Sequence, residues 1–217
     1  MKKRSGVKYL ASGVDEFQPG SRKKVLRNKL NIVRVRDMED AELAAYLKAE
    51  QALIRKYTAE HTFTVEDIAH IHRIFLGDIY DWAGRYRDVN LSKGGFPFAS
   101  AMAIPQAMKE FERMVLAKYT PCRGKTVDEI AHRIAVVHAE FLLIHPYREG
   151  NGRTARLLAT LTAYQAGMPG LDLGFIGSRG KEFDRYVAAI HAGVRMDYSP
   201  MTAIMKRAIA RALRNVR

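Results

Sequence analysis

Residues 145–156 read His145-Pro146-Tyr147-Arg148-Glu149-Gly150-Asn151-Gly152-Arg153-Thr154-Ala155-Arg156. Apolar Phe141-Leu142-Leu143-Ile144 precede them and end one helix, because Pro146 cannot continue it. Pro146 also biases His145 away from helical dihedrals, so the imidazole is expected on a rigid loop. Gly150-Asn151-Gly152 then opens a new helix, whose first N–H groups have no intrahelical partner. Small glycines let a polyanion approach that backbone, and the helix dipole favours it by about 0.3–1 kcal/mol. Arg153 and Arg156 add two guanidinium forks suited to phosphate. Glu149 is an acid among cations and a candidate Mg²⁺ ligand beside substrate phosphates. His145 supplies a base expected to titrate near neutrality. A plain helix–turn–helix explains any one of these residues but not the set.

Outward from this stretch the spacing is helical. Apolar residues recur at three and four from Asp37 to about Thr58 (Leu43, Tyr46, Leu47, Leu53, Ile54, Tyr57). Thr64 with Asp67, and Thr126 with Glu129, form capping patterns that open two more helices. The first would bury Ile68, Ile71, Phe75 and Ile79; the second Ile130, Ile134, Val137, Phe141 and Ile144. Further helices are expected over 151–166 with Gly167 as the stop, over 181–192, and over 199–214 with Ser199 as cap and Pro200 at the first helical position. Residues 86–98 break the period around Lys93-Gly94-Gly95 and read as a small hairpin or extended flap. The fold class predicted is all-α, a helical bundle with a short β-hairpin flap.

Other motifs fail on inspection. Gly124-Lys125-Thr126 ends like a phosphate-binding loop, but Tyr119 stands where that loop needs glycine. His138-Ala139-Glu140 lacks the downstream cysteine pair of a zinc deaminase. His70 and His72, two apart on a helix, face different ways. These histidines read as structural or surface residues.

The 217 residues carry 36 Lys+Arg against 23 Asp+Glu, a net charge of +13. Residues 1–36 hold 11 basic and 2 acidic residues, and 206–217 hold five basic and none acidic. The body between them is near neutral. Basic ends suggest solvated tails or a surface for an acidic partner, with nucleic acid as the first rival. One cysteine, Cys122, excludes a disulfide scaffold and fits a reducing compartment. No apolar run nears the roughly 18 residues of a membrane helix, and Lys8 spoils a signal peptide. A cytoplasmic protein without membrane contact is expected.

The 145–156 stretch resembles the signature of the Fic family, H-P-F-x-[D/E]-G-N-G-R-x-x-R, matching every defined position except Tyr147, where phenylalanine is usual. Its added hydroxyl needs a hydrogen-bond partner. Val25–Asn31, Asp81-Trp82-Ala83-Gly84, Lys93–Phe98 and Asp197–Met201 resemble other family segments, so about residues 20–205 are covered. The implied organisation is a basic tail over 1–20, a Fic domain over 21–205 and a basic helix end over 206–217.

The resemblance implies transfer of AMP from ATP to a hydroxyl of a target protein. His145 would be the general base and Glu149 would hold Mg²⁺. Gly150, Asn151 and Gly152 would cradle phosphate oxygens through backbone N–H and amide contacts. Arg153 would neutralise the polyphosphate, and Arg156 would fix the γ-phosphate. Lys93 and Gly94 on the flap, counted with the ATP-site residues, would register the target as an added strand. Tyr186 would line the adenine pocket. Family members are commonly restrained by a glutamate in [S/T]-x-x-x-E-[G/N] that pairs with the second arginine, here Arg156. Ser12/Glu16, Thr62/Glu66 and Ser178/Glu182 match only in part. That absence implies a toxin whose inhibitory glutamate sits on a separate small antitoxin. A type II topoisomerase subunit is the target such toxins suggest. The alternatives are phosphate transfer as in Doc relatives, which replace the second glycine with lysine where this chain keeps Gly152, or phosphocholine transfer. A further alternative is a non-catalytic nucleic-acid or protein interaction module using the basic ends.

Overall fold

The computed structural model describes residues 16–177 and 179–215. Eight helices are present among these: α1 (Val35–Lys56), α2 (Val65–Leu76), α3 (Ile104–Phe111), α4 (Ala117–Tyr119), α5 (Val127–Ile144), α6 (Asn151–Gln165), α7 (Lys181–Ala192) and α8 (Ser199–Asn215). A π turn over Glu112–Leu116 joins α3 to α4. Two short strands, β1 (Ser92–Lys93) and β2 (Phe96–Pro97), pair antiparallel with Lys93 opposite Phe96. No helix among the described residues is long and apolar enough to cross a membrane.

The centre is α5, buried on nearly every side from Ile130 to Leu142. An all-round apolar helix of this kind has to lie inside. It packs on α6, α7, α8 and α3. Capping follows expectation: the Thr64 side chain accepts from the Asp67 N–H while Asp67 accepts from the Thr64 N–H. Thr126 accepts from the Glu129 N–H. Ile68, Ile71, Phe75 and Ile79 are buried, as are Ile130, Ile134, Val137 and Phe141.

Three expectations need correction. The apolar stripe assigned to α1 faces the core only in part: Leu53 is buried and Tyr46 and Tyr57 pack against the core. Leu43 and Leu47 are more than half exposed, and Ile54 is exposed as well, whereas Met38, Glu42, Ala49 and Leu53 are buried. A buried carboxylate and small residues disguise the packed face, since Glu42 is drawn inward by the Tyr80 hydroxyl (2.7 Å) and the Arg153 guanidinium (2.7 Å). The last helix already includes Ser199, whose N–H is taken by the Asp197 carboxylate (3.1 Å), so Ser199 is not the cap. Residues 104–119, unassigned from sequence, form α3, the π turn and α4.

The ends are less tail-like than their charge suggests. Residues 16–20 are bonded into the fold: Glu16 pairs with Arg148 (2.7 Å), and Phe17 bridges to Leu26. Ser12 and the rest of 1–15 lie outside the described residues, as do Ser178 and Arg217. On α8, Lys206 pairs with Asp128, Arg207 with Glu182, and Arg211 with Asp172 (2.9 Å). Arg207 and Arg211 also lie over the Phe175 ring. Much of this cationic end is therefore consumed inside the molecule.

Candidate active site

The turn between α5 and α6 is built by backbone capture. His145 ends α5 in the left-handed region (φ 54°, ψ 58°), rather than in the extended region a following proline favours. Its N–H still reaches the Phe141 carbonyl (3.0 Å), and its Nδ1 donates to the Leu142 carbonyl (3.1 Å). That bond selects the tautomer with the lone pair on Nε2. The Arg87 Nε holds the His145 carbonyl (2.8 Å). The side chain of Asn151 then spans the turn, accepting from the Tyr147 N–H (2.8 Å) and donating to the Tyr147 carbonyl (2.7 Å).

His72, from α2, holds the next stretch. The Gly84 N–H donates to its Nδ1 (2.8 Å), so its Nε2 carries the proton and donates to the Glu149 carbonyl (3.0 Å). The imidazole also stacks on the Tyr147 ring at 3.9 Å. Burial pushes the His72 pKa down to about 4, which keeps this neutral donor–acceptor form. Gly150 follows with φ +82°. A Cβ there would stand 2.7 Å from Leu76 Cδ1. At Gly152 nothing lies within 4 Å of such a Cβ, because this face of the α6 N-terminus looks into open space.

That space is a cavity of about 1170 Å³. His145, Glu149, Gly150, Gly152, Arg153 and Arg156 line it together with apolar Leu171, Leu173, Phe183 and Ile190, the Tyr186 ring, and the carboxylates of Asp172 and Asp184. Lys93, Gly94 and Phe98 of the flap close one side. The structure thus brings together every site residue expected from sequence except Asn151, which is fully buried behind the turn. Its amide is spent on Tyr147, so the phosphate contact expected of that amide does not fit the geometry. Leu43, Tyr46 and Glu50 of α1 also line the cavity, with no signal in the sequence to announce them. Burial raises the Glu50 pKa.

The charges are arranged for an anion. Burial opposes the charge on Arg153, but Glu42 and Glu149 (3.6 Å) keep its pKa above the ordinary value. Its guanidinium lies over the Phe75 ring. The Arg156 Nε is buried with no hydrogen-bond partner among the described residues. The Tyr186 hydroxyl is taken by His138 Nε2 (2.6 Å), so Tyr186 offers the cavity its ring rather than a polar group. His138 is structural, with Nδ1 on the Ala155 carbonyl (3.2 Å).

His145 departs from expectation in its titration. It is buried under Phe98, and burial lowers its pKa to about 3, well below neutrality. It is therefore neutral at pH 7 with its base form populated. The flap is seated on α7 as well: Phe96 stacks on His191 (4.0 Å), and Lys93 Nζ lies 5.3 Å from the centre of the Phe183 ring.

The site thus sets a buried neutral imidazole beside a glycine turn at a helix N-terminus and two arginines, on an all-α scaffold. Residues 62–163 match the model of the Fic/DOC family. The chain belongs to that family. It is 31% identical over 144 residues to protein adenylyltransferase VbhT of Bartonella schoenbuchensis, covering 66% of this chain and 30% of that protein. It is 28% identical over 214 residues to the probable protein adenylyltransferase Fic of Escherichia coli, covering 94% of this chain and 92% of that one. The chain thus spans under a third of the first relative and nearly all of the second. Its fold matches the N-terminal FIC domain of a VirB-translocated effector of Bartonella sp. 1-1C, with a TM-score of 0.73, 20% identity, and 90% and 95% coverage. It also matches a Bartonella tribocorum effector crystallised with bound AMPPNP, with a TM-score of 0.68, 22% identity, and 84% and 91% coverage.

Proposed function

We propose that the chain transfers AMP from ATP to a hydroxyl side chain of a target protein. The observation that carries this reading is the mixed lining of one cavity. A glycine turn, Arg153 and Arg156, whose Nε has no hydrogen-bond partner among the described residues, share it with apolar side chains. A nucleotide needs both, cations for its phosphates and apolar surface for its base. The target hydroxyl would lose its proton to His145 Nε2 as its oxygen bonds to the α-phosphorus. The bond to the β-phosphate oxygen breaks, and pyrophosphate leaves. Bound phosphates would raise the depressed His145 pKa by adding negative charge beside it. A positioned base contributes roughly 10²–10⁴-fold, and the arginines and helix N-terminus supply preorganised charge stabilisation.

Glu149 is the carboxylate of the glycine turn that lines the cavity beside Arg153. Among the described residues no group of three His, Cys, Asp or Glu side chains could hold a metal alone. That donor set suits Mg²⁺ held jointly by Glu149 and substrate phosphates, where the ion would neutralise phosphate charge.

An inhibitory glutamate supplied by a separate antitoxin chain completes the reading. Supporting it, each candidate glutamate of this chain is engaged elsewhere: Glu16 with Arg148, Glu66 with Arg73, and Glu182 with Arg185 and Arg207. Incubation with Mg²⁺, a bacterial lysate and ATP labelled at the α- or γ-phosphate tests the activity. Label entering a protein band from α-ATP alone supports AMP transfer; label from γ-ATP alone replaces it with phosphorylation. An isolated chain that is inactive until Glu182→Gly is introduced refutes the two-chain arrangement.

A further inference from the structure

Arg87 lies between β1 and the end of α5 and is almost fully buried. Its Nε donates to the His145 carbonyl (2.8 Å), and its Nη2 reaches the Ile144 carbonyl at 3.4 Å. Nη1 donates to the Val89 carbonyl (2.6 Å), and Nη2 also donates to the Ala99 carbonyl (2.6 Å). The Arg87 N–H donates to the Pro146 carbonyl (2.9 Å). Val89 precedes the first leg of the flap, and Ala99 follows the second. One guanidinium therefore grips both legs of the flap and the backbone on either side of the base. No carboxylate among the described residues pairs with Arg87, so carbonyl dipoles alone satisfy its charge. A buried cation without a counter-ion is costly, and five planar donors aimed at four carbonyls offset that cost in a way three donors on an ammonium cannot.

We propose that Arg87 is a positioning residue that locks the flap and the His145 loop into one rigid unit. This rests on reading His145 as the base and the flap as the edge where the target docks. Under that reading the distance from the reacting hydroxyl to Nε2 is set through the Arg87 fork. The stacking of Phe98 on His145 also joins flap to base, and the two contacts are separable.

Hydrogen–deuterium exchange of the full chain, compared for wild type, Arg87→Lys and Phe98→Leu, tests the proposal. In Arg87→Lys the Phe98 amide, bonded to Leu91, and the His145 amide should both exchange about tenfold faster or more. In Phe98→Leu both should stay within about threefold of wild type. Faster exchange of the flap alone, no change in either amide, or equal loosening in Phe98→Leu overturns the proposal. Should Arg87→Lys fail to fold, Phe98→Leu still decides it, because loosening there makes the ring stack the coupler. With α-labelled ATP and a modified target in hand, Arg87→Lys should lower kcat about 100-fold while ATP Kd holds within about threefold. A loss confined to ATP affinity contradicts it. A wild-type chain that transfers no AMP removes the activity reading and leaves the exchange comparison to decide the coupling.

Discussion

The imidazole of His145 lies flat against the ring of Phe98, with centroids 3.8 Å apart and planes within 10° of parallel. The stack covers the base with an apolar surface, and burial is what holds its pKa near 3. In NMR titrations the wild-type His145 ring should show no protonation step between pH 5 and 8. Phe98→Ala should admit water and move the step upward toward the ordinary value near 6.5. An unshifted ring in Phe98→Ala would mean that the remaining wall, not Phe98, excludes the water.

Three buried histidines tie stability to pH. His72 is lowered to about 4, and His138 and His145 to about 3, each mainly by burial. Their folded pKa values lie below the unfolded value, so the unfolded chain binds more protons as pH falls below about 6.5. Stability is full above that pH and is lost on the way down toward 3–4. Each histidine should contribute a loss of about 2 kcal/mol between pH 7 and 5. Urea unfolding at both pH values checks this, with His138→Phe removing one histidine's share of the difference. An undiminished difference in that variant would place the pH dependence elsewhere.

The two glycines of the turn should separate stability from binding. Gly150→Ala forces a Cβ to within 2.7 Å of Leu76 Cδ1 at a left-handed position, and should cost about 1–2 kcal/mol or more of stability. Gly152→Ala places its methyl in open space facing the cavity. It should keep or slightly raise stability, by about 0.5–1 kcal/mol at most, while weakening ATP binding. Thermal melts with and without ATP distinguish the two outcomes.

Tyr147 carries a hydroxyl that finds no hydrogen-bond partner among the described residues although the residue is fully buried. An unsatisfied buried hydroxyl costs about 1–3 kcal/mol. Tyr147→Phe should therefore stabilise the chain by about 1 kcal/mol without disturbing the ring stack on His72, read as a raised urea midpoint at unchanged m-value. A destabilised variant would show that the hydroxyl has a partner in solution.

The site was largely legible because its chemistry is local. Residues 145–156 hold a helix stop, a glycine-rich helix start and two arginines one turn apart, and folding them next to each other needs little from the rest of the chain. The supports were not legible. His72 and Arg87 reach the turn from 77 and 58 residues away to hold the Glu149 and His145 carbonyls. A buried histidine and a surface one look alike in sequence, as His72 and His70 did. On α1, Leu43 and Leu47 promised a core face, yet Glu42 took it, because its partners Tyr80 and Arg153 lie on other elements.

Periodicity, capping residues and the glycine turn thus determined by themselves that the chain is helical, where most helices begin, and which short stretch supplies one wall of the cavity. Each depends on interactions within a few residues. Only the tertiary structure decided the protonation of His145, the pairing of the basic α8 end, and the carbonyl grip of Arg87. Burial and long-range hydrogen bonding are properties of the packed whole: the sequence names the groups, but the dielectric around them exists only once the chain has closed over them.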